Sequence, residues 1–254
     1  MGKAAAALWL LVVVACGPAV DRAPAAPSAE RGSVPRVLLF TRTLGFRHDS
    51  IPDGIAAVEA LGQAHRFAVD ATEDADAFTP ANLAHYRVVL FLSTTGDVLE
   101  GAQRDALRGF VHAGGGWAGV HAAADTLYGW PWYGGLVGAW FARHPAIQQA
   151  TVHVENGSQP STHGLPNPWV RTDEWYDFRT NPRSSVHVLL TLDEGTYQGG
   201  AMGADHPIAW YHEYDGGRAW YTGLGHVSQA YSDPAFLSHL LGGIAYAAGS
   251  AWRS

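Results

Sequence analysis

Apolar and polar residues alternate along the first half of the chain in two spacings, one typical of buried strands and one typical of amphipathic helices. Short uninterrupted apolar runs suit strands that are covered on both faces of a parallel sheet. Apolar residues at helical spacing follow these runs and predict helices that pack on the sheet. The predicted strands are 36–42, 67–71, 87–93 and 117–120, and the predicted helices are 53–65 and 100–113. This alternation predicts an α/β domain with a parallel sheet.

The second half of the chain contains further runs of strand length, with fewer helical segments between them. These strand-like segments are 151–155, 169–171, 185–192, 208–214 and 218–222. Gly216 and Gly217 predict a tight turn between the last two segments, so we expect these strands to extend the sheet in antiparallel fashion. A helix over 234–248 closes the domain, and Thr79 with Pro80 predicts a short capped turn.

The N-terminal segment has the pattern of a bacterial lipoprotein signal. Lys3 is followed by an apolar run that is too short to span a bilayer but suits the apolar region of a secretory signal. Cys16 follows Val-Val-Ala in an order that resembles a lipobox, and an ordinary cleaved signal with a chance cysteine is the alternative. The predicted organisation is a signal peptide over 1–15, a tether over 16–33 and a folded domain over 34–250. Lipidation of Cys16 would anchor the protein to a membrane of the bacterial cell envelope, at its periplasmic or extracellular face.

Composition excludes several classes of protein. The chain has 254 residues, of which 47% are hydrophobic and 15% charged, a balance typical of a packed globular domain. Its net charge of −7 argues against a nucleic-acid partner, because proteins that bind nucleic acids usually present a basic surface. Because Lys3 is the only lysine and Cys16 the only cysteine, the folded part has no Schiff-base lysine, no phosphate-loop lysine and no thiol nucleophile. The spacing of a dinucleotide-binding motif is matched by Gly114, Gly116 and Gly119. In that motif the glycines lie between a strand and the next helix, whereas here they follow a predicted helix, so no nucleotide cofactor is expected.

Histidines stand at the predicted carboxyl ends of strands, the edge of an open parallel sheet where ligands bind. Arg47 and His48 follow the first strand. His121 follows the glycine-rich strand, with Asp125 four residues further on, and His226 follows the last predicted strand. We expect these side chains to line one site.

A segment of carboxylates and aromatic rings, DEWYDF at 173–178, supplies further candidates for the same site. These are Glu174, Trp175 and Tyr176. Aromatic planes are surfaces on which the apolar faces of sugar rings can pack. The aromatic stretch 130–141 has a similar composition, and a core or lid role is open for it as well. Structural roles are assigned to the remaining histidines, except for three that stay undecided: His144, His206 and His212.

Four segments in the same order resemble the ThuA-like (trehalose-utilisation) family, a branch of the class I glutamine amidotransferase-like superfamily. The segments are GFRHDSI at 45–51, GGGWAGVHAAAD at 114–125, DEWYDF at 173–178 and HPIAWYHEYDGGRAWYTGLGH at 206–226. The resemblance implies a flavodoxin-like three-layer sandwich, with a mostly parallel sheet and an antiparallel extension. Relatives with glutaminase activity carry a cysteine where this chain has Val120 and His121, so glutamine hydrolysis through a thioester is excluded.

The resemblance also implies a role in carbohydrate processing. ThuA-like proteins are associated with the use of trehalose and related disaccharides, in company with sugar 3-dehydrogenases that make 3-keto sugars. A small saccharide, either a glucoside or a 3-keto-glucoside, is therefore the expected substrate. Isomerisation, elimination and hydrolysis all remain open as the reaction.

Enolisation beside a sugar carbonyl needs a base with a pKa near neutrality and an electrophile on the carbonyl oxygen, and histidine suits such a base. The candidate catalytic residues are His48, His121, Glu174 and His226. Alternatively, these four residues are the ligands of a divalent metal such as zinc. The candidate substrate contacts are Arg47, Asp125, Trp175 and Tyr176. The competing hypothesis is a non-catalytic module that binds a sugar or a partner protein on a degenerate amidotransferase-like fold.

Overall fold

The computed structural model describes residues 1, 2 and 34–249. The predicted signal peptide beyond residue 2, the tether over 16–33 and the lipidation site Cys16 lie outside the described residues and stay predictions. Within the described part, no helix combines the length and the apolar character that crossing a membrane requires.

Most strands of the described residues form one nine-stranded sheet. In chain order the strands are β1 (Arg36–Phe40), β2 (Ala68–Thr72), β3 (Val88–Leu92), β4 (Gly116–Val120), β5 (Phe141–Arg143), β6 (Gln148–Val154), β7 (Trp169–Asp173), β8 (Asp177–Phe178), β9 (His187–Asp193), β10 (Pro207–Tyr214) and β11 (Gly217–Thr222). The order across the sheet is β2-β1-β3-β4-β11-β10-β9-β6-β7, and β5 pairs separately with β8.

The α-helices connect the strands of the parallel half and close the domain. They are α1 (Ile51–His65), α2 (Pro80–Leu83), α3 (Gly101–His112), α4 (Pro131–Val137) and α5 (Pro234–Ala248). Thr79 caps α2 by accepting a hydrogen bond from the Asn82 N–H at 3.2 Å, with Pro80 in the first helical position, as the sequence predicts.

The parallel sheet with an antiparallel extension is confirmed. Strands β2, β1, β3, β4 and β11 run in one direction, and β10, β9, β6 and β7 add to them by antiparallel pairing. The segment 218–222 was expected in the antiparallel extension, but β11 pairs in parallel with β4. Its residues are almost all buried, which suits the interior of the sheet and explains why the strand lies next to β4.

The turn between β10 and β11 lies one residue earlier than predicted. Asp215 and Gly216, rather than Gly216 and Gly217, occupy its two central positions, with φ angles of 46° and 89°. Two consecutive residues with positive φ are what a tight hairpin turn of this twist requires, and aspartate followed by glycine is a favoured pair.

Two neighbouring residues of β4 show that the sheet is covered on both faces. Gly116 faces α5, because a Cβ atom placed there would lie only 2.1 Å from the Ala247 carbonyl oxygen. Trp117 is fully buried and contacts Tyr133 of α4, with ring centroids 5.7 Å apart. Since successive residues of a strand point to opposite faces, α5 and α4 lie on opposite sides of the sheet. The flavodoxin-like three-layer sandwich is thereby confirmed.

The same topology places several loop starts at one edge of the sheet. Strands β1, β3, β4 and β11 are parallel, so their carboxyl ends share an edge. Each of the four pairings from β11 to β7 is antiparallel, so β7 again runs in the direction of β11. Residues that follow β1, β4, β7 and β11 therefore emerge on the same side of the domain.

Candidate metal centre

His48, His121, Glu174 and His226 meet at this edge. Each offers one nitrogen or carboxylate oxygen, and these four atoms all lie within 4.8 Å of one another. The ring of His48 lies 4.8 Å from that of His121 and 5.0 Å from that of His226, measured between centroids. The structure therefore brings together all four residues that the sequence selects as catalytic or metal-binding candidates.

His121 occupies a strained turn at the end of β4. Its φ angle is 52°, a left-handed conformation that costs a non-glycine residue roughly 1–3 kcal/mol and is concentrated at functional sites. The Nδ1–H donates to the Gly223 carbonyl oxygen at 2.9 Å. The Nε2 atom then lies 3.0 Å from His226 Nδ1 and 3.4 Å from Glu174 Oε2. A backbone carbonyl that fixes the tautomer in this way is typical of metal-binding histidines.

Glu174 carries the negative charge of the group. Burial alone would raise the pKa of this carboxyl, but hydrogen bonds with His121 and His226 outweigh burial and hold the pKa well below its usual value. Its Oε2 lies 3.1 Å from His226 Nδ1, and its Oε1 lies 3.0 Å from His144 Nδ1. Glu174 is therefore an ionised carboxylate surrounded by imidazoles.

His48 is buried with an unused ring nitrogen. Its Nδ1 has no hydrogen-bond partner among the described residues. Burial lowers the pKa of His48 to about 3, and the neighbouring imidazoles act in the same direction, so the ring is neutral at pH 7. A buried polar atom without a partner is costly unless something else satisfies it. Three imidazoles and one carboxylate form a ligand set that suits Zn²⁺ and related divalent ions, so the residues present fit a metal.

Asp173 holds the backbone that carries two of the four residues. Its Oδ1 accepts hydrogen bonds from the N–H groups of Glu174 at 3.1 Å and His226 at 3.0 Å. Its Oδ2 accepts from the Gly225 N–H at 3.0 Å and from the Arg171 guanidinium at 3.1 Å. Asp173 is fully buried, so these hydrogen bonds tie the end of β7 to the loop after β11.

Tyr176 and Asp125, predicted as substrate contacts, adjoin the group. The Tyr176 ring packs on that of His121, with centroids 4.2 Å apart, and is itself almost fully buried. Asp125 accepts a hydrogen bond from the Tyr128 hydroxyl at 2.6 Å. Burial raises the pKa of Asp125, and this hydrogen bond together with the charge of His121 offsets the rise only in part.

The other two predicted contacts have different surroundings. The Arg47 guanidinium pairs with Glu73 at 2.6 Å, and both side chains are about half exposed. Trp175 has no exposed surface, and its Nε1–H donates to the Gln148 carbonyl oxygen at 2.8 Å. Because the ring is fully enclosed, the structure gives no support to a contact between Trp175 and a substrate.

His144 belongs to the site, although its role was left undecided from the sequence. Its Nδ1 contacts Glu174, as above, and its side chain is 42% exposed, far more than those of His121 and His226. It follows β5, a strand of three residues that is too short for periodicity to reveal. The proline at 145 indicated a turn at this position, but no feature of the sequence indicated that the turn lies next to Glu174.

His206, also undecided from the sequence, belongs to a neighbouring group with Asp177 and Glu194. His206 Nδ1 lies 2.8 Å from Glu194 Oε1, and its Nε2 lies 2.9 Å from the Tyr176 carbonyl oxygen. Asp177 is already paired with the Arg143 guanidinium at 2.9 Å. These polar groups satisfy one another, so we assign the group a structural role beneath Tyr176.

The fold and the site are those of a flavodoxin-like α/β protein that carries a buried histidine in a strained conformation directly after a central strand. The chain belongs to the ThuA family, whose model, described as trehalose utilisation, matches residues 36–247. That description indicates a carbohydrate-related role.

Solved structures with the same fold include two ThuA-like proteins. A ThuA-like protein from Bacteroides uniformis is 24% identical, with a TM-score of 0.72 over 91% of this chain and 95% of that chain. One from Parabacteroides merdae is 21% identical, with a TM-score of 0.72 over 85% and 91%. A β-galactosidase from Rahnella sp. R3 is 19% identical, with a TM-score of 0.52 over 82% of this chain but 31% of that chain. No curated protein matches the sequence significantly.

Proposed function

We propose that the protein is a metal-dependent carbohydrate-processing enzyme that acts on a glucoside or a 3-keto-glucoside. The main support for this proposal is the convergence of His48, His121, Glu174 and His226, together with the buried and unpartnered Nδ1 of His48. The family's description supports a saccharide as the substrate class.

A bound divalent metal would supply a Lewis acid that polarises a carbonyl oxygen of the sugar. The C–H bonds beside such a carbonyl are acidic, so enolisation is the chemistry that the site suits best. His121 and Glu174 are held in place by Gly223 and Asp173, and the Tyr176 ring excludes water from one side of His121. The partly exposed His144 is placed to move a proton between the site and solvent.

The arrangement of carboxylates favours this chemistry over direct hydrolysis by a carboxylate pair. Such hydrolysis uses two carboxyl groups with different pKa values, one on each side of the scissile bond. Asp173 accepts four hydrogen bonds, and Asp177 accepts from Arg143 and the Ala201 N–H. Neither is free to act as the partner of Glu174.

Metal content tests the proposal directly. We expect the purified protein to bind one divalent ion, and we expect His121→Asn and Glu174→Gln to lower the affinity about 100-fold or more. Asparagine tolerates the left-handed backbone of position 121, so the fold should survive that substitution. Elemental analysis and competition titration with a chelating dye give the stoichiometry and the affinity. His163→Asn, at an exposed histidine, is the matched control.

Exchange with deuterated water tests the reaction. The parent protein should place deuterium beside the carbonyl of a 3-keto-glucoside, and the two ligand variants should not. A parent protein that binds no divalent ion would contradict the metal centre. One that binds an ion and a saccharide without exchange or product formation would instead favour the non-catalytic binding module.

A further inference from the structure

A short loop beside the candidate metal centre exposes two large apolar side chains. Leu44 is 58% exposed and Phe46 is 65% exposed, whereas most large apolar side chains in the described residues are buried. The Phe46 ring stands at 87° to that of His48, with centroids 4.9 Å apart. An exposed aromatic ring therefore borders one of the four candidate ligands.

The loop is held in place by one buried threonine. The Thr95 hydroxyl accepts a hydrogen bond from the Gly45 N–H at 3.1 Å and donates to the Phe46 carbonyl oxygen at 2.9 Å. The Thr95 carbonyl oxygen accepts from the Leu44 N–H at 2.8 Å. Because three hydrogen bonds fix the backbone, Phe46 is presented to solvent by a rigid segment, which is how proteins prepare a contact surface before binding.

The residue that follows Phe46 is polar and only partly buried. Arg47 forms an ion pair with Glu73, and both side chains remain about half exposed, so both can still form hydrogen bonds with hydroxyl groups. Glu73 also lines a polar cavity of about 450 Å³, together with Arg42, Asp74, Ala75, Asp76, Glu100 and Gln103. A pyranose ring has an apolar C–H face and a polar rim, so it suits a site that combines an exposed aromatic ring with hydrogen-bonding groups.

We propose that the exposed Phe46 ring is the platform on which a pyranose ring of the substrate packs. This inference rests on the proposed function. A sugar whose carbonyl or hydroxyl reaches the candidate metal centre lies beside His48, and the exposed Phe46 ring is in contact with His48. Phe46 therefore determines the substrate class, favouring neutral pyranosides over open-chain or strongly anionic ligands.

Calorimetric titration of the full chain tests this platform, with methyl 3-keto-α-glucoside and trehalose as probes, in the presence and absence of Zn²⁺. Phe46→Ala should weaken binding of the preferred sugar about tenfold, and Phe46→Tyr, which keeps the ring, should bind nearly as the parent does. Zinc stoichiometry should be the same in all three proteins. Val34→Ala, at an exposed apolar residue preceding β1, is the matched control.

A second variant separates the ring from its support. Thr95→Val keeps the shape of the side chain but removes the hydroxyl that holds Gly45 and Phe46. We expect it to weaken sugar binding by a smaller factor than Phe46→Ala, because the ring remains but is no longer fixed.

The outcomes distinguish this inference from the proposed function. Equal sugar affinity in Phe46→Ala and the parent overturns the platform, whatever the metal result. A parent that binds neither sugar overturns it too. Absence of zinc binding contradicts the metal centre, yet a ring-dependent sugar affinity in that protein would still support the platform. If Phe46→Ala lost binding only to vesicles of phosphatidylethanolamine and phosphatidylglycerol, the ring would be a membrane contact and the inference would be wrong.

Discussion

Asp173 accepts hydrogen bonds from three backbone N–H groups and from one guanidinium at the base of the candidate metal centre. Because each of its two carboxylate oxygens already accepts two hydrogen bonds, Asp173 has no lone pair left for a metal ion or a substrate. It acts instead by positioning the segments that carry Glu174 and His226. Groups that orient metal ligands in this way commonly change metal affinity by 10–100-fold when they are replaced.

Asp173→Asn should therefore weaken metal binding by about tenfold or more and also destabilise the fold. The new amide NH₂ would face an N–H donor and would leave the buried Arg171 guanidinium with only its longer ion pair to Asp233 at 3.5 Å, at a cost of about 1–3 kcal/mol. Urea denaturation gives the free energy of unfolding, and chelator competition gives the metal affinity. Asp97→Asn, at a side chain that is 68% exposed, should change neither quantity. Unchanged metal affinity in Asp173→Asn would contradict the positioning role.

Some residues of the site were predictable from the sequence and others were not, for a physical reason. His48, His121 and His226 follow strands, and the edge of the sheet gathers whatever follows parallel strands. His144 and Phe46 reach the site through the path of a loop, which depends on contacts such as those of Thr95 that no local pattern records. Arg47 was predicted to contact substrate, and its ion pair with Glu73 depends on a residue 26 positions away.

Helices α3 and α5 each contain glycines whose surroundings differ. A Cβ atom at Gly109 of α3 would meet no atom within 4 Å. At Gly242 of α5 it would lie 2.4 Å from backbone atoms of Pro160 and Ser161. The first glycine only weakens its helix, whereas the second allows α5 to approach the 160–161 backbone closely.

Gly109→Ala should stabilise the protein by about 0.5–1 kcal/mol, because alanine restricts the unfolded chain and favours the helix. Gly242→Ala brings the same gain in helix propensity but should destabilise the protein by about 2 kcal/mol or more, because the backbone it meets cannot move aside. Thermal unfolding of the two variants and the parent measures both effects. Stabilisation by Gly242→Ala would show that the contact between α5 and the 160–161 backbone is loose.

Element type was predictable from the sequence wherever an element was long enough to show a period. The strands of the parallel half and helices α1, α3 and α5 lie within a few residues of their predicted positions. Strands β5 and β8, of three and two residues, and helix α4, of seven residues, were not predicted. Segments of this length are stabilised by tertiary packing, and each contains less than two periods of the pattern that belongs to its own type of element. The parallel pairing of β11 likewise depends on the neighbouring strand β4.

Buried histidines make the stability of the whole domain depend on pH. His239 in α5 is fully buried, donates from Nδ1 to the Ser161 carbonyl oxygen at 2.7 Å and accepts at Nε2 from the Thr222 hydroxyl at 3.1 Å. Burial lowers its pKa to about 4, against about 6.5 in an unfolded chain. Between these two values the unfolded chain binds a proton that the folded protein does not.

The free energy of unfolding should therefore fall as the pH decreases from about 6.5 to 4, by up to about 1.4 kcal/mol per pH unit from this residue alone. Above pH 6.5 the residue contributes no pH dependence. His239→Asn keeps a donor for Ser161 and removes the titrating group. The slope of its free energy of unfolding against pH should therefore be smaller than that of the parent, by an amount that corresponds to about one proton. Urea denaturation at pH 7, 6 and 5 measures the slopes, with His163→Asn as control. Equal slopes in His239→Asn and the parent would contradict this assignment.

The four candidate ligands follow β1, β4, β7 and β11, so they are drawn from both the parallel half of the sheet and its antiparallel extension. An ion with four such ligands can recognise only a chain in which both halves have already assembled. By mass action, any ligand specific to the assembled form enriches that form at the expense of unfolded chains. The supply of metal would therefore determine how much of the protein is degraded. Molecules that are folded and bound to metal would resist proteolysis, and molecules in which the two halves have not assembled would be cleaved.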